Sequence, residues 1–367
     1  MINIIDIVYY SHNEIRDPAV VLEKHFPSMG FAYFIRDEYN IEFLIHMNHE
    51  GFENIGGNSY TFFKSRNRFW HIPFKTHRYI KKQNPDIVVV EGLGFPLQVI
   101  FLKLLLGKKC RIFAQHHGER PYPGLKKLIQ KQADHCIHGY FFTSLKNASE
   151  WLNKKIIGNP RKCREVLEAS THFKRLDKAK SQIRLGVSGN QNYLWVGRLN
   201  GNKDPVTVLN AFRKFGLYHP NARLYMIFQE EDLLPEIKKR IRQSVVLEDA
   251  VKLVGPVNHN ELAYWFSAFN FYISGSHREG SGYALLEAMS CGCIPIVTSI
   301  PSYEKITCQG KYGFLYPPGN EDALASLLEK ISSVNIESYR REVEQWFQDH
   351  LSFRSIAGSL KEAFIQA

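Results

Sequence analysis

What the sequence lacks already excludes several classes. The six cysteines, at 110, 136, 163, 291, 293 and 308, include no Cys-x-x-Cys pair. Structural zinc knuckles are thereby excluded, and Cys291-Gly-Cys293 reads as buried thiols at a helix–strand junction. No apolar run is long enough to cross a bilayer; the most apolar stretch, Leu93 to Leu106, contains Gln98 and Lys103 and reads as a buried helix. Met1-Ile-Asn-Ile-Ile-Asp-Ile-Val runs straight into a strand with no export signal ahead of it. With free thiols, that points to the cytoplasm. There is no repeat of solenoid period, no low-complexity tract and no Asp-x-Asp triplet. Between Asn54 and Pro85 there is no acidic residue at all.

What is present is unevenly placed. The chain of 367 residues has a formal net charge of +11, of which residues 1–60 contribute −6, residues 61–190 contribute +18 and residues 191–367 contribute −1. Within the acid-free stretch, Lys64, Arg66, Arg68, Lys75, Arg78, Lys81 and Lys82 are interleaved with Phe62, Phe63, Phe69 and Trp70. Basic residues with aromatics suit an anionic surface, and the expected partner is the inner leaflet of a membrane, on which the protein would be peripheral. A solvated basic face, or a groove for an acidic acceptor glycan, is an equal alternative, and nucleic acid a lesser one, since no helix-turn-helix, zinc or ribonucleoprotein motif accompanies the basic half.

Strand-like and helix-like stretches alternate. In the first half, Ile2–Tyr10, Phe31–Arg36, Ile41–His46, Asp86–Val90, Arg111–Gln115, Tyr140–Ser144 and Glu165–Glu168 read as strands. In the second, strands at Tyr193–Val196, Arg223–Phe228, Val251–Val254 and Phe269–Ser274 alternate with helices at Pro205–Phe215, Leu233–Gln243 and Asn260–Ser267. This order implies an α/β chain of two doubly wound parallel-sheet, Rossmann-like domains. The polar stretch Phe173 to Asn192 is the expected linker, giving domains at 1–172 and 173–350. Ligands of such sheets bind beyond the C-terminal strand ends, so a cleft between two facing domains is expected.

The most informative stretch runs from His277 to Gly292: strand, Glu279, the turn Gly280-Ser281-Gly282, then a helix from Tyr283 ending at Gly292. The first backbone N–H groups of that helix, at Gly282, Tyr283 and Ala284, have no intrahelical acceptor and make an anion site. Glu279 and Glu287 flank it. A carboxylate beside a phosphate is useful only toward hydroxyls, so the pattern suggests a nucleotide sugar: diphosphate on the helix end, a sugar on one side, a ribose on the other.

Glu279-x7-Glu287 followed by Ala288-Met-Ser-Cys-Gly-Cys-Ile-Pro-Ile-Val resembles the donor-site signature of retaining GT-B glycosyltransferases, family 4 in particular. Trp195-Val-Gly-Arg198-Leu-Asn-Gly-Asn-Lys203-Asp is similar to that family's phosphate motif, and Glu304 and Gly313-Phe-Leu-Tyr-Pro-Pro-Gly-Asn to its downstream pattern. The resemblance covers Tyr193 to the C-terminus. It departs at Ser281, where many relatives carry a large residue, and at Ser299-Ile-Pro-Ser-Tyr303, where many carry a Gly-Gly pair.

The resemblance implies a GT-B glycosyltransferase moving a sugar from a nucleoside-diphosphate sugar to a hydroxyl of a glycan or lipid-linked acceptor, with retention. A sugar-nucleotide epimerase or hydrolase of the same fold is the alternative. Glu287 would hold the ribose, Glu279 the donor sugar, and Gly280, Ser281, Gly282, Tyr283 and Ala284 the sugar and diphosphate. With no Asp-x-Asp triplet, Arg198 and Lys203 would offset the leaving-group charge, with no metal or cofactor required. His117 of Gln115-His-His-Gly118 aligns with a histidine of the family's first domain, expected to accept from the attacking hydroxyl or orient the sugar. Strand alternation would turn His116 away. His12, after the first strand, is a lesser candidate. The C-terminal helix, within 351–367, would pack back on the first domain.

Overall fold

A computed structural model describes residues 1–65, 68–187, 191–229, 231–331 and 335–366. The chain divides into two compact units: Met1–Ser170 together with the segment from Phe353 onward, and Thr171–Ser352.

The first unit contains β1 (Ile2–His12), α1 (Pro18–Met29), β2 (Tyr39–Met47), β3 (Gly51–Ile55), β4 (Asn58–Lys64), α2 (Phe74–Gln83), β5 (Ile87–Glu91), α3 (Pro96–Leu106), β6 (Arg111–Gln115), α4 (Gly124–Asp134), β7 (Gly139–Phe142), α5 (Ser149–Asn153) and β8 (Cys163–Glu165). Its sheet has the order β3-β4-β2-β1-β5-β6-β7-β8, parallel except for β3. Strand β1 alternates so that Ile4 and Val8 enter one core while Ile5, Ile7 and Tyr9 enter the other. Each face is covered because a parallel sheet must bury both sides.

The second unit contains α6 (Lys178–Leu185), β9 (Gln191–Val196), α7 (Pro205–Gly216), β10 (Ala222–Ile227), α8 (Leu234–Arg242), α9 (Val245–Ala250), β11 (Val251–Gly255), α10 (Leu262–Ala268), β12 (Phe271–Ser274), α11 (Tyr283–Ser290), β13 (Ile294–Thr298), α12 (Pro301–Ile306), β14 (Phe314–Tyr316), α13 (Glu321–Lys330) and α14 (Ile336–His350). Its six strands are all parallel in the order β11-β10-β9-β12-β13-β14. The strand order therefore reverses between β9 and β12, and the crevice beyond those two strand ends is where such sheets take ligands.

The final helix, α15 (Phe353–Ile365), belongs to the first unit and inserts Phe353, Ile356, Leu360 and Phe364 into its core. In the second unit α14 contributes a fully buried arginine. Arg340 is satisfied by the carbonyls of Gly292 (2.9 Å) and Ser267 (3.1 Å) and by Asn270 Oδ1 (3.2 Å).

Four expectations are corrected. Phe31–Arg36 is not a strand: Gly30–Phe34 forms a 3-10 turn after α1, because Phe31 and Ala32 reach the core from a tight turn rather than by alternation. Phe62 and Phe63 lie in β4, buried to 1% and 5% exposure, so they cannot face a membrane; the Gly56-Gly57 turn, which joins β3 to β4, is the hairpin signal that places them. The expected linker instead carries α6 and belongs to the second unit, since Leu176 N donates to Ser267 and Lys178 to Asn270; residues 188–190 of that stretch lie outside the described residues. Helix α3 is buried on one face only.

Candidate active site

Beyond β9, Arg198 to Asp204 forms a loop, and beyond β12, Gly275 to Gly282 forms a second. The two are zipped together. His277 N donates to the Asn202 carbonyl (2.8 Å), Asn202 Nδ2 donates to the Arg278 carbonyl (3.0 Å), and His277 Nε2 lies 2.9 Å from Asp204 Oδ2. A Cβ on Gly275 would stand 2.7 Å from the Asp204 carbonyl, so the contact requires glycine. Asp204 also caps α7, accepting from Thr207 N at 3.1 Å.

This zipper brings Lys203 Nζ onto Glu279 Oε1 in an ion pair whose side chains keep 24% and 12% exposure. Arg198 sits on the same loop with its side chain exposed. The Glu279 carbonyl accepts from Ser302 Oγ (2.7 Å), which fixes the turn before α11.

Gly282 caps α11 in the left-handed region, at φ +73, and a Cβ there would stand 2.6 Å from the Tyr303 ring. Tyr303, in α12, reaches Ser274 Oγ (3.2 Å), and Thr298 Oγ1 donates to the Ser276 carbonyl (2.5 Å). The stretch Ser299–Tyr303, which departs from the family's Gly-Gly pattern, thus supplies the props of the Gly280-Ser281-Gly282 turn. Ser281 itself is buried. The first turn of α11, from Tyr283 and Ala284, opens at this turn, with Leu285 N donating back to the Gly282 carbonyl at 2.9 Å.

One turn into α11, Glu287 is buried, and burial pushes its pKa up while His259 Nε2, 2.6 Å away, pulls it down. His259 packs its ring on Phe173 at 5.0 Å between centroids. Sequence reasoning missed His259, His277, Ser302 and Tyr303. They lie 23 to 73 residues from their partners, where no spacing signal marks them.

In the first unit His117 ends β6 and lies between two carboxylates: Nε2 is 2.5 Å from Glu91 Oε2, and Nδ1 is paired with Glu168. Burial pulls its pKa down, but the Glu168 and Glu91 carboxylates outweigh this and hold it well above the ordinary value. As an imidazolium donating from both nitrogens it has no lone pair for an attacking hydroxyl. His116 turns away and packs on Phe142 and Trp151. Glu119 braces the strand end, accepting from His117 N (2.7 Å), Leu93 N (3.0 Å) and Tyr10 Oη (2.8 Å). Beneath Glu91, buried Asp6 has its pKa raised well above the carboxylate range by burial and by Glu91. His12 pairs with His25 through their Nε2 atoms at 2.6 Å, and burial drives His25 down to about 3.

Solved structures overlay the whole chain. Sucrose-phosphate synthase from Thermosynechococcus elongatus matches with a TM-score of 0.74 at 15% identity, covering 100% of this chain and 99% of its own. Anabaena HepE, solved in complex with UDP and glucose, matches at 0.72 and 13% identity, covering 100% of each chain. The chain has the GT-B fold.

Within this GT-B chain, residues 177–345 match the family model for Glycosyl transferases group 1. That span holds every residue of the β9–β12 crevice described above except Phe173. Among curated relatives, the GDP-mannose:cellobiosyl-diphosphopolyprenol alpha-mannosyltransferase of Xanthomonas oryzae pv. oryzae is 20% identical over 263 residues, 70% of this chain and 66% of that protein. The chain spans 66%, 37% and 41% of the lengths of the first three curated relatives it matches.

Proposed function

We propose that the protein is a glycosyltransferase. It moves a sugar from a nucleoside-diphosphate sugar, bound by the second unit, to a hydroxyl of a glycan or lipid-linked acceptor assigned to the first. The observation that carries this reading is the Lys203–Glu279 pair beside the α11 N-terminus, with buried Glu287 one turn further on. A cation, a helix end and two carboxylates match the parts of one ligand. The diphosphate takes Lys203, Arg198 and the helix N-terminus; the donor sugar takes Glu279; the ribose takes Glu287, on which His259 rests in this structure.

Bond breaking leaves negative charge on the diphosphate, and in this reading Lys203 and Arg198 offset it without a metal. On arrival of the donor, Lys203 exchanges Glu279 for phosphate, and Glu279 turns to sugar hydroxyls. Retention is the stereochemical outcome of the family that the Glu279-x7-Glu287 signature resembles.

One similar protein is named for a GDP sugar and another is solved with UDP, and the two bases set the test. The chain is melted with UDP, GDP, ADP and their sugars. One base is expected to raise the melting temperature, and the matching sugar to be consumed only when an acceptor is added. Turnover of donor alone would favour the epimerase or hydrolase, and no shift with any nucleotide would contradict the donor site.

A further inference from the structure

We propose that the outer surface of α2, α3 and α4 is a docking surface for an anionic lipid bilayer. The three helices cover one face of the first unit's sheet. Helix α3 turns Gln98, Val99 and Leu102 toward that sheet, at 0%, 3% and 0% exposure. Its opposite side is also apolar. Phe101 and Leu104 are 41% and 75% exposed, and Leu97, Ile100 and Leu105 are half-buried beside them. Positions 97, 100, 101, 104 and 105 make one stripe at helical spacing, so α3 carries two apolar faces and the sheet covers one.

The neighbouring elements continue the pattern. Helix α4, packed on α3, exposes Leu125 and Leu128, at 66% and 57%. Trp70, ahead of α2, and Phe74, in its first turn, are 58% and 62% exposed. Trp70 is held outward. Phe69 packs on it and on Tyr122, Lys126 Nζ lies 4.7 Å from the Phe69 ring centroid, and Gln98 Nε2 donates to the carbonyls of Arg68 (2.9 Å) and His71 (2.7 Å). A preformed apolar projection loses little conformational freedom on docking.

Charge selects the occupant. Residues 64–131 hold 15 Lys and Arg against three acids. Two of those acids, Glu91 and Glu119, are engaged by His117. A second copy docking on the same face would set this positive charge against itself. Nucleic acid or an acidic polysaccharide would use the cations but leave Leu104, Leu125 and Leu128 in water. An anionic bilayer takes both, with apolar side chains at the acyl boundary and cations at the headgroups. The surface thus differs from the one expected from sequence: Trp70 stays, Phe62 and Phe63 leave, α3 and α4 enter, and Arg66 lies outside the described residues.

The full chain is sedimented with vesicles of phosphatidylcholine alone and of phosphatidylcholine and phosphatidylglycerol in equal parts. Recovery is expected with the mixed vesicles only, falling as salt shortens the Debye length. L104E with L128E should lower the bound fraction about tenfold, because binding scales with buried apolar area, and K127E with K131E should lower it comparably. Leu104, Leu128 and Lys131 are exposed and Lys127 is half-buried, so the melting temperature should hold in both variants. Equal recovery with both vesicles or with neither, or variants that bind like wild type, would overturn the proposal. So would a concentration-dependent dimer in light scattering that L104E abolishes while vesicles recover nothing, or retardation of duplex DNA without vesicle recovery.

Discussion

The two units both place charged groups at the ends of parallel strands, and they secure them in opposite ways. In the second unit Lys203 and Glu279 come from two loops and meet near the surface as a pair of opposite charges. Backbone contacts hold the loops in place, through Asn202, His277 and Gly275, so either side chain can change partner without unmaking the loop. In the first unit His117 is fixed by its own side-chain bonds to Glu91 and Glu168, and Glu119 braces the backbone beneath. A group that must exchange one partner for another needs its position set by the backbone. A group that supplies a fixed charge can be locked through its side chain.

That contrast gives the largest expected effect to Lys203. Removing one preorganised stabilising group from an active site typically costs about 10²–10³ in turnover. Lys203→Ala is expected to lose that much in kcat while melting like wild type, because the zipper beneath it survives. Unchanged kcat would remove the distinction between exchangeable and fixed groups.

Next is Arg340, which ties α14 to the carbonyls of Gly292 and Ser267. Arg340→Met takes the arginine donor from those buried carbonyls, while Asn270 Oδ1 keeps Lys178. It is expected to destabilise the second unit by about 3 kcal/mol, read by denaturant unfolding. A smaller loss, near that of an exposed substitution, would show that the crevice does not depend on α14.

The smallest effect concerns the locked histidine. Its folded pKa is raised by its carboxylates, so its contribution to stability is complete below the unfolded pKa of about 6.5 and is lost as pH rises through the folded value. Wild-type stability should therefore decline with pH on the alkaline side of neutrality, by at most about 1.4 kcal/mol per pH unit, and His117→Gln should flatten that slope. An identical slope in both proteins would mean that His117 is not held as an imidazolium.

The same contrast explains what the sequence made legible. Glu279, the glycine turn and Glu287 lie within nine residues, and Lys203 follows a strand on a loop capped by Asp204-Pro205, so local rules place them. Glu91, His117 and Glu168 are separated by 26 and 51 residues, and only the sheet order brings them together. His259 and Tyr303 were hidden for the same reason. The basic stretch was read correctly as basic but wrongly as a surface throughout. Composition cannot tell that Phe62 and Phe63 enter β4, and the outer stripe of α3 was hidden inside a run that looked wholly buried.

The central claim is that the crevice beyond β9 and β12 holds a nucleoside diphosphate through Lys203 and Glu287 without a metal. Calorimetric titration of UDP and GDP in excess chelator, into wild type and into Glu287→Gln, tests it most directly. Wild type is expected to bind one of the two. The variant should bind it more weakly by about 1.5–3 kcal/mol, the contribution of a hydrogen bond to a charged group. Wild-type affinity should also fall as pH drops toward the raised pKa of Glu287, since the protonated carboxyl accepts less well from ribose hydroxyls. Binding that vanishes with chelator and returns with a divalent metal, or that is equal in both proteins, would contradict the account.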